Sequence, residues 1–172
     1  MYCDAVNEHP VFGQAEKLNL VGYSQGNMIA RYIIEMCDLN GKEIHRYISV
    51  GGPQQGVGGA LPCNGTYAIV CKLINFVANT AMDLRIVENH VAPASYYRDN
   101  RTERHYKKYL EEGSFLPYVN NEKNHSKMEE YKQKFSSLDA LMLIEFGADS
   151  VVIPHASEHF SDFSGRKPIP LN

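Results

Sequence analysis

The stretch Leu18-Asn19-Leu20-Val21-Gly22-Tyr23-Ser24-Gln25-Gly26 runs an alternating, partly apolar segment into a serine with a glycine two residues to either side. Met28-Ile29-Ala30 through Met36 continues from it with helical spacing. Strand, tight turn and helix in this register place a serine on a strained backbone at the carboxyl edge of a sheet, with its Oγ held clear of the strand. Glycines at 22 and 26 fit a turn in which larger side chains would collide with neighbouring backbone. The helix that follows aims unpaired N–H groups and the positive end of its dipole at the space beside the serine. Ser24 is therefore the candidate nucleophile, and the Gln25 backbone N–H is a candidate donor to an oxyanion. A serine in an ordinary glycine turn is the plainer alternative, but that alternative does not need strand, turn and helix in register.

Working outward, the spacing predicts a strand near Lys17–Tyr23, a helix over residues 25–38 and a second strand over 45–50. Tyr47-Ile48-Ser49-Val50 is too apolar for a surface edge. Such a βαβ unit closes by a right-handed crossover and puts both strands in one parallel sheet. Gly51-Gly52-Pro53-Gln54-Gln55-Gly56 ends the second strand at the same edge, where it is either a plain loop or a wall of the site. An apolar helix is expected over 66–82. A stretch rich in tyrosine and charge follows, then a charged helix over 126–137 and a third strand over 140–146, which ends in Gly147-Ala148-Asp149-Ser150. Residues 61–137 read as a helical, lid-like insertion.

Serine hydrolases on such sheets place an acid in the turn after a later strand and a histidine after that. Asp149 stands where the acid belongs, although aspartate is also a common turn former. Only His155 and His159 follow it. Neither comes after a further strand, and both lie too close to Asp149 in sequence to reach Ser24 easily. The catalytic histidine is unassigned and expected beyond the C-terminus.

The chain has 172 residues and is 44% hydrophobic, enough for one globular domain with a core. Its net charge of -3 and lack of a basic block argue against nucleic-acid binding. No apolar run approaches the roughly 20 residues of a membrane span. Met1-Tyr2-Cys3-Asp4-Ala5-Val6 has no signal-peptide pattern. The cysteines Cys3, Cys37, Cys63 and Cys71 allow several pairings or none. Three glycosylation sequons, at Asn64, Asn100 and Asn124, lie in polar stretches and favour a secretory-pathway protein.

Val21-Gly22-Tyr23-Ser24-Gln25-Gly26, Ile48-Ser49-Val50-Gly51-Gly52-Pro53-Gln54-Gln55-Gly56-Val57 and Asp149-Ser150-Val151-Val152-Ile153-Pro154 together resemble the palmitoyl-protein thioesterases. The similarity runs from about Cys3 to Pro154 and includes Leu61-Pro62-Cys63 and Ala94-Ser95-Tyr96-Tyr97. It implies an α/β-hydrolase fold, a mainly parallel sheet with helices on both faces. It implies a lysosomal or vacuolar enzyme that removes long-chain acyl groups from thioester-modified cysteines of proteins. Ser24 would be nucleophile, Asp149 triad acid and Gln25 oxyanion donor. The disulfides would pair Cys3 with Cys37 and Cys63 with Cys71, and no metal or organic cofactor is required. S-acylated proteins or peptides and acyl thioesters would be the substrates. The sequence departs from the family at Asn27, where a second glycine is usual after the turn, and at Pro53-Gln54; both departures are expected to alter the acyl pocket. Residues 1–172 read as a single incomplete domain, an internal portion with strands missing at both ends and inactive alone. A lipase or carboxylesterase acting on oxygen esters, or a non-catalytic acyl-binding remnant, would share the serine turn.

Overall fold

The computed structural model describes residues 1–58, 95–98 and 102–161. The expected helix over 66–82, the Cys63–Cys71 pair and the sequons at Asn64 and Asn100 lie outside them. Three strands, β1 (Lys17–Tyr23), β2 (Glu43–Val50) and β3 (Ala140–Ile144), form a parallel sheet in the order β1-β2-β3. The apolar run of β2 is explained by its central place, with Tyr47 and Ser49 fully buried. β3 ends two residues earlier than the sequence suggests. Phe146 has left the ladder, and its backbone N–H donates instead to the Glu158 carboxylate.

The pairing of β1 with β2 slips once: Leu18 faces Ile44, and the next residue, Asn19, faces Arg46, so His45 stands opposite nothing. This bulge resets the alternation. Ile44, Tyr47 and Ser49 all turn to the buried face, opposite Leu18, Leu20 and Gly22. His45 pairs instead with Asp139, Nδ1 to Oδ2 at 2.7 Å.

Preceding β1, α1 (Tyr2–Asn7) carries Cys3, which is bonded to Cys37. After the serine turn, α2 (Gly26–Arg31) is followed directly by a wider π-turn, Tyr32–Met36. The expected helix over 25–38 is thus α-helical only in its first half. It stops where Cys37 takes an extended conformation and meets its disulfide partner. Three further helices are α3 (Glu103–Glu112), α4 (Leu116–Val119) and α5 (Met128–Ser136). α3 is not anticipated from periodicity, although Thr102 caps it by accepting from the His105 N–H at 3.3 Å.

One core cluster joins Ala30, Ile34, Cys37 and Leu39 to Ile44 and Tyr47 of β2. A second sets Met28 of α2 against Tyr109, Leu116 and Val119. The described part of the tyrosine-rich stretch is therefore packed on the helix that follows the serine. Arg31, fully buried, ties these layers together. Its Nε donates to Glu35 at 2.6 Å, Nη1 to Asn120 Oδ1 at 2.6 Å and to the Gln54 carbonyl at 3.3 Å, and Nη2 to the Val119 carbonyl at 2.6 Å. Its guanidinium also lies over the rings of Phe135 and Phe160. Burial pushes the Glu35 carboxyl up, against the pull of Arg31. The opposite sheet face exposes Val21, Tyr23 and Met142. Helices on both faces are not borne out among the described residues. No described helix is long and apolar enough to cross a membrane.

Candidate active site

Ser24 ends β1 with φ +48°, a left-handed conformation that costs a residue with a side chain about 1–3 kcal/mol. Two backbone bonds hold it there: its N–H donates to the Val50 carbonyl at 2.9 Å, and its carbonyl accepts from the Asn27 N–H at 3.0 Å. The turn is thereby fastened to the carboxyl end of the central strand. Among the described residues, Ser24 Oγ and the Gln25 N–H make no hydrogen bond, so a hydroxyl and a backbone donor sit side by side unengaged.

The two glycines of the motif differ. A Cβ on Gly22 would lie 2.3 Å from Asn27 Oδ1 and 2.9 Å from Asn27 Cα, so Gly22 is sterically required. A Cβ on Gly26 meets nothing within 4 Å. The collision expected at position 26 is absent among the described residues because the chain there has already entered α2 with its side-chain direction pointing outward.

Asn27, one of the two departures from the family pattern, is fully buried beneath the turn. Its Nδ2 donates to the Ser24 carbonyl at 2.9 Å and the Val50 carbonyl at 3.2 Å, and its Oδ1 accepts from Tyr47 Oη at 2.8 Å. Gln54, the other departure, is also fully buried, with Nε2 donating to Tyr47 Oη at 2.9 Å and Ser49 Oγ at 2.8 Å. The two unusual residues are thus joined through one phenol, under the site. Burial holds the Tyr47 phenol above its ordinary pKa, so it stays a neutral hydroxyl able to donate and accept.

The glycine loop is buried at Gly51, Gly52, Pro53, Gln54 and Gly56. It braces the serine turn from behind. Gly52 fits between Ser49 Oγ and the Asn27 amide, both within 2.6 Å of a would-be Cβ. Ser157 fixes the far end of the loop, accepting from the Gln55 N–H at 3.1 Å and donating to the Gly56 carbonyl at 2.6 Å.

Asp149 follows β3 in a self-closed turn. Its N–H donates to the Phe146 carbonyl at 2.9 Å, and its Oδ1 accepts from the N–H groups of Val151 at 2.5 Å and Val152 at 2.9 Å. Beside it lies the carboxyl of Glu158, fully buried, with Oε2 accepting from the Phe146 N–H at 3.1 Å. Burial pushes Glu158 up to about 6, and the neighbouring Asp149 and Glu145 carboxylates add to the rise. Nothing in the sequence singles out Glu158, since an acid in a polar segment reads as a surface residue. An open cleft of ≈ 530 Å³ is lined by Tyr23, the residue before Ser24, and by Glu145 through Val151; Ser24 itself is not among its lining residues.

No described histidine pairs with Ser24 or Asp149. His155 Nδ1 contacts Glu145 Oε1, and His159 Nε2 lies 3.8 Å from Glu145 Oε2. His45 pairs with Asp139, His105 with Thr102 and His125 with the Tyr118 carbonyl, while His9 accepts from two N–H groups of its own turn. No group of three or more His, Cys, Asp or Glu suited to a metal ion occurs among the described residues. Asn124 is exposed, just before α5.

The family model for palmitoyl protein thioesterase matches residues 1–172, so the similarity continues past Pro154, where the sequence motifs fade. Palmitoyl-protein thioesterase 1 of Caenorhabditis elegans is 33% identical over 142 residues, 83% of this chain and 45% of that protein. Palmitoyl-protein thioesterase 3 of Dictyostelium discoideum is 32% identical, over 91% of this chain and 51% of that protein. The lysosomal thioesterase PPT2 homolog of Drosophila melanogaster is 32% identical, over 86% and 48%. The chain spans about half the length of these curated relatives. With its whole extent matched and this serine turn at the carboxyl edge of a parallel sheet, the chain belongs to the palmitoyl protein thioesterase family.

Proposed function

We propose that this chain carries the nucleophile and acid of an α/β-hydrolase that cleaves long-chain acyl thioesters on protein cysteines. The observation that carries this reading is the strained Ser24, whose Oγ, like the adjacent Gln25 N–H, has no hydrogen-bond partner among the described residues. Ser24 Oγ attacks the thioester carbonyl carbon as its proton passes to an imidazole. The carbonyl electrons move onto oxygen, where the Gln25 N–H receives the charge. Collapse expels the cysteine thiolate, an easy leaving group, and leaves an acyl-serine. Water then attacks that ester, Ser24 is released with its proton restored, and the fatty acid departs. Asp149 orients the imidazole through Oδ2, because its Oδ1 is committed to Val151 and Val152. No step needs a metal or an organic cofactor.

The same reading places the protein in the lysosome, in line with relatives named lysosomal thioesterases. It makes Asn124 a glycan acceptor, gives residues 61–137 a covering role over the site and pairs Cys63 with Cys71. A fluorophosphonate probe tests the nucleophile: labelling of the full-length protein that disappears in Ser24→Ala supports it, and labelling that persists in that variant rejects it. Turnover of a palmitoyl thioester beside its matched oxygen ester tests the substrate class, and a strong oxygen-ester preference would make the protein a lipase or carboxylesterase.

A further inference from the structure

We infer that Asn27 is a positioning residue for Ser24, held in a single orientation by Tyr47 and Gln54, so that the three residues act as one unit setting the geometry of the serine turn. The inference rests on the proposal that Ser24 is the nucleophile.

The orientation follows from donor and acceptor chemistry. Two backbone carbonyls, of Ser24 and Val50, converge on one end of the Asn27 amide, at 2.9 and 3.2 Å. A carbonyl can only accept, so that end is Nδ2. Oδ1 must then face Tyr47, and the phenol must donate to it, at 2.8 Å. A hydroxyl that has given its one proton can only accept from its other neighbour, so the atom of Gln54 at 2.9 Å is Nε2, which also donates to Ser49 Oγ at 2.8 Å. The direction of every bond in the chain is fixed, and it terminates at Gln54 Oε1, which is buried without a partner among the described residues. Turning any one amide over would set acceptor against acceptor among side chains that are fully buried, where water cannot make good the lost bond.

The bonds act on the residue that does the chemistry. Ser24 is held at φ +48°, and such a conformation persists only where surrounding structure over-determines it. Asn27 supplies that constraint twice. Its backbone N–H and its side-chain Nδ2 both donate to the Ser24 carbonyl, and the same Nδ2 grips Val50, whose carbonyl already receives the Ser24 N–H. Gly22 and Gly52 have no room for a Cβ largely because this amide fills the space between them. The serine turn, the end of β2 and the glycine loop are therefore clamped by one side chain that is not itself exposed to substrate.

The test compares Asn27→Ala, Asn27→Asp and Tyr47→Phe with wild type in the full-length protein, by two readouts. In the first, the rate constant for fluorophosphonate labelling and the kcat and KM for a palmitoyl thioester are measured. Asn27→Asp presents an acceptor to two carbonyls and is expected to lower labelling and kcat by about tenfold or more, the size of one lost buried hydrogen bond. KM stays within about twofold, because substrate does not touch the amide. Tyr47→Phe keeps the volume and the fold and loses only the orienting hydroxyl, for a fall of about threefold. The second readout is amide hydrogen exchange. The Ser24 N–H exchanges faster in all three variants, while the Leu20 N–H within β1 is unchanged. Wild-type labelling and wild-type Ser24 exchange in Asn27→Ala and Tyr47→Phe would overturn the inference. If wild type does not label at Ser24, the nucleophile assignment fails on its own, and exchange alone decides whether Asn27 fixes the turn: selective loss of protection at Ser24 upholds it, and unchanged protection rejects it.

Discussion

The turn after β1 is fixed by side chains from the helix, the central strand and the glycine loop, whereas the turn after β3 is fixed by its own backbone and one neighbouring carboxyl. Around Ser24, the supporting polar side chains are buried: Asn27, Tyr47, Ser49 and Gln54 are all at 0% exposure. Around Asp149, Gly147, Ala148 and Ser150 are exposed, and the aspartate's bonds run to residues two and three positions onward. The difference suits the proposed tasks. A nucleophile must sit in one strained geometry, which needs a core to enforce it, while an acid that orients an imidazole can be set by a local turn.

This contrast gives predictions that differ in size on the two sides. The largest effect belongs to Arg31→Ala, which leaves Glu35 buried without its cation and frees α2 from Asn120 and the Val119 carbonyl. A loss of about 3–5 kcal/mol in urea unfolding is expected. Next come the two motif glycines, which should respond with opposite sign. Gly22→Ala forces a Cβ into Asn27 and costs about 1–3 kcal/mol, while Gly26→Ala enters open space at a helix start and is neutral or stabilising by a few tenths of a kcal/mol. Equal losses at both positions would erase the asymmetry between them.

On the aspartate side the expected effects are smaller and depend on pH. Glu158 holds its proton to about pH 6 in the folded protein, against an ordinary value of 4.5. The folded state therefore binds that proton more tightly than the unfolded chain. Its contribution to stability is complete below about pH 4.5 and is lost as pH rises through 6, a loss of at most about 2 kcal/mol. Unfolding free energies across pH 4–7 should show this slope in wild type, and Glu158→Gln should flatten it. Asp149→Asn is the mildest change to the fold: the amide oxygen can still accept from Val151 and Val152, so stability should move by less than about 0.5 kcal/mol. A large destabilisation by Asp149→Asn would show that the two turns are braced alike after all.

Much of the scaffold was legible in the sequence because it is written in local patterns. The limits of β1, the parallel pairing with a central β2, and β3 followed by Asp149 come from apolar runs punctuated by glycine. α3 was legible but is not among the anticipated elements: Tyr106, Tyr109 and Leu110 stand three and four apart on one face, and Thr102 marks its start, while the surrounding charges give the segment the look of a polar loop. The support of the site was hidden for a different reason. Asn27, Tyr47 and Gln54 meet across separations of 20 and 7 residues, and a polar residue destined for a buried amide looks the same in sequence as one facing water. Asn27 and Pro53-Gln54 stood out only as departures from a family pattern. That they depend on one another emerges from the bonds through Tyr47. Glu158 left no signal, because its role comes from the carboxyl that folding sets beside it.

The slipped pairing between β1 and β2 makes position 45 the one place in this ladder where the chain can lose a residue without turning its side chains over. The unpaired His45 is the extra residue that lets Ile44 face the core on one side of the slip while Tyr47 reaches Asn27 on the other. Deleting His45 would restore a regular ladder with every other pair kept, Leu18 with Ile44, Asn19 with Arg46 and Leu20 with Tyr47, and Ile44 and Tyr47, then two residues apart, would still share the buried face. Many side chains fit at position 45, since its ring reaches only Asp139 at the rim. In related sequences position 45 should therefore vary in identity and even be absent, while the residues matching Ile44 and Tyr47 keep to the buried face.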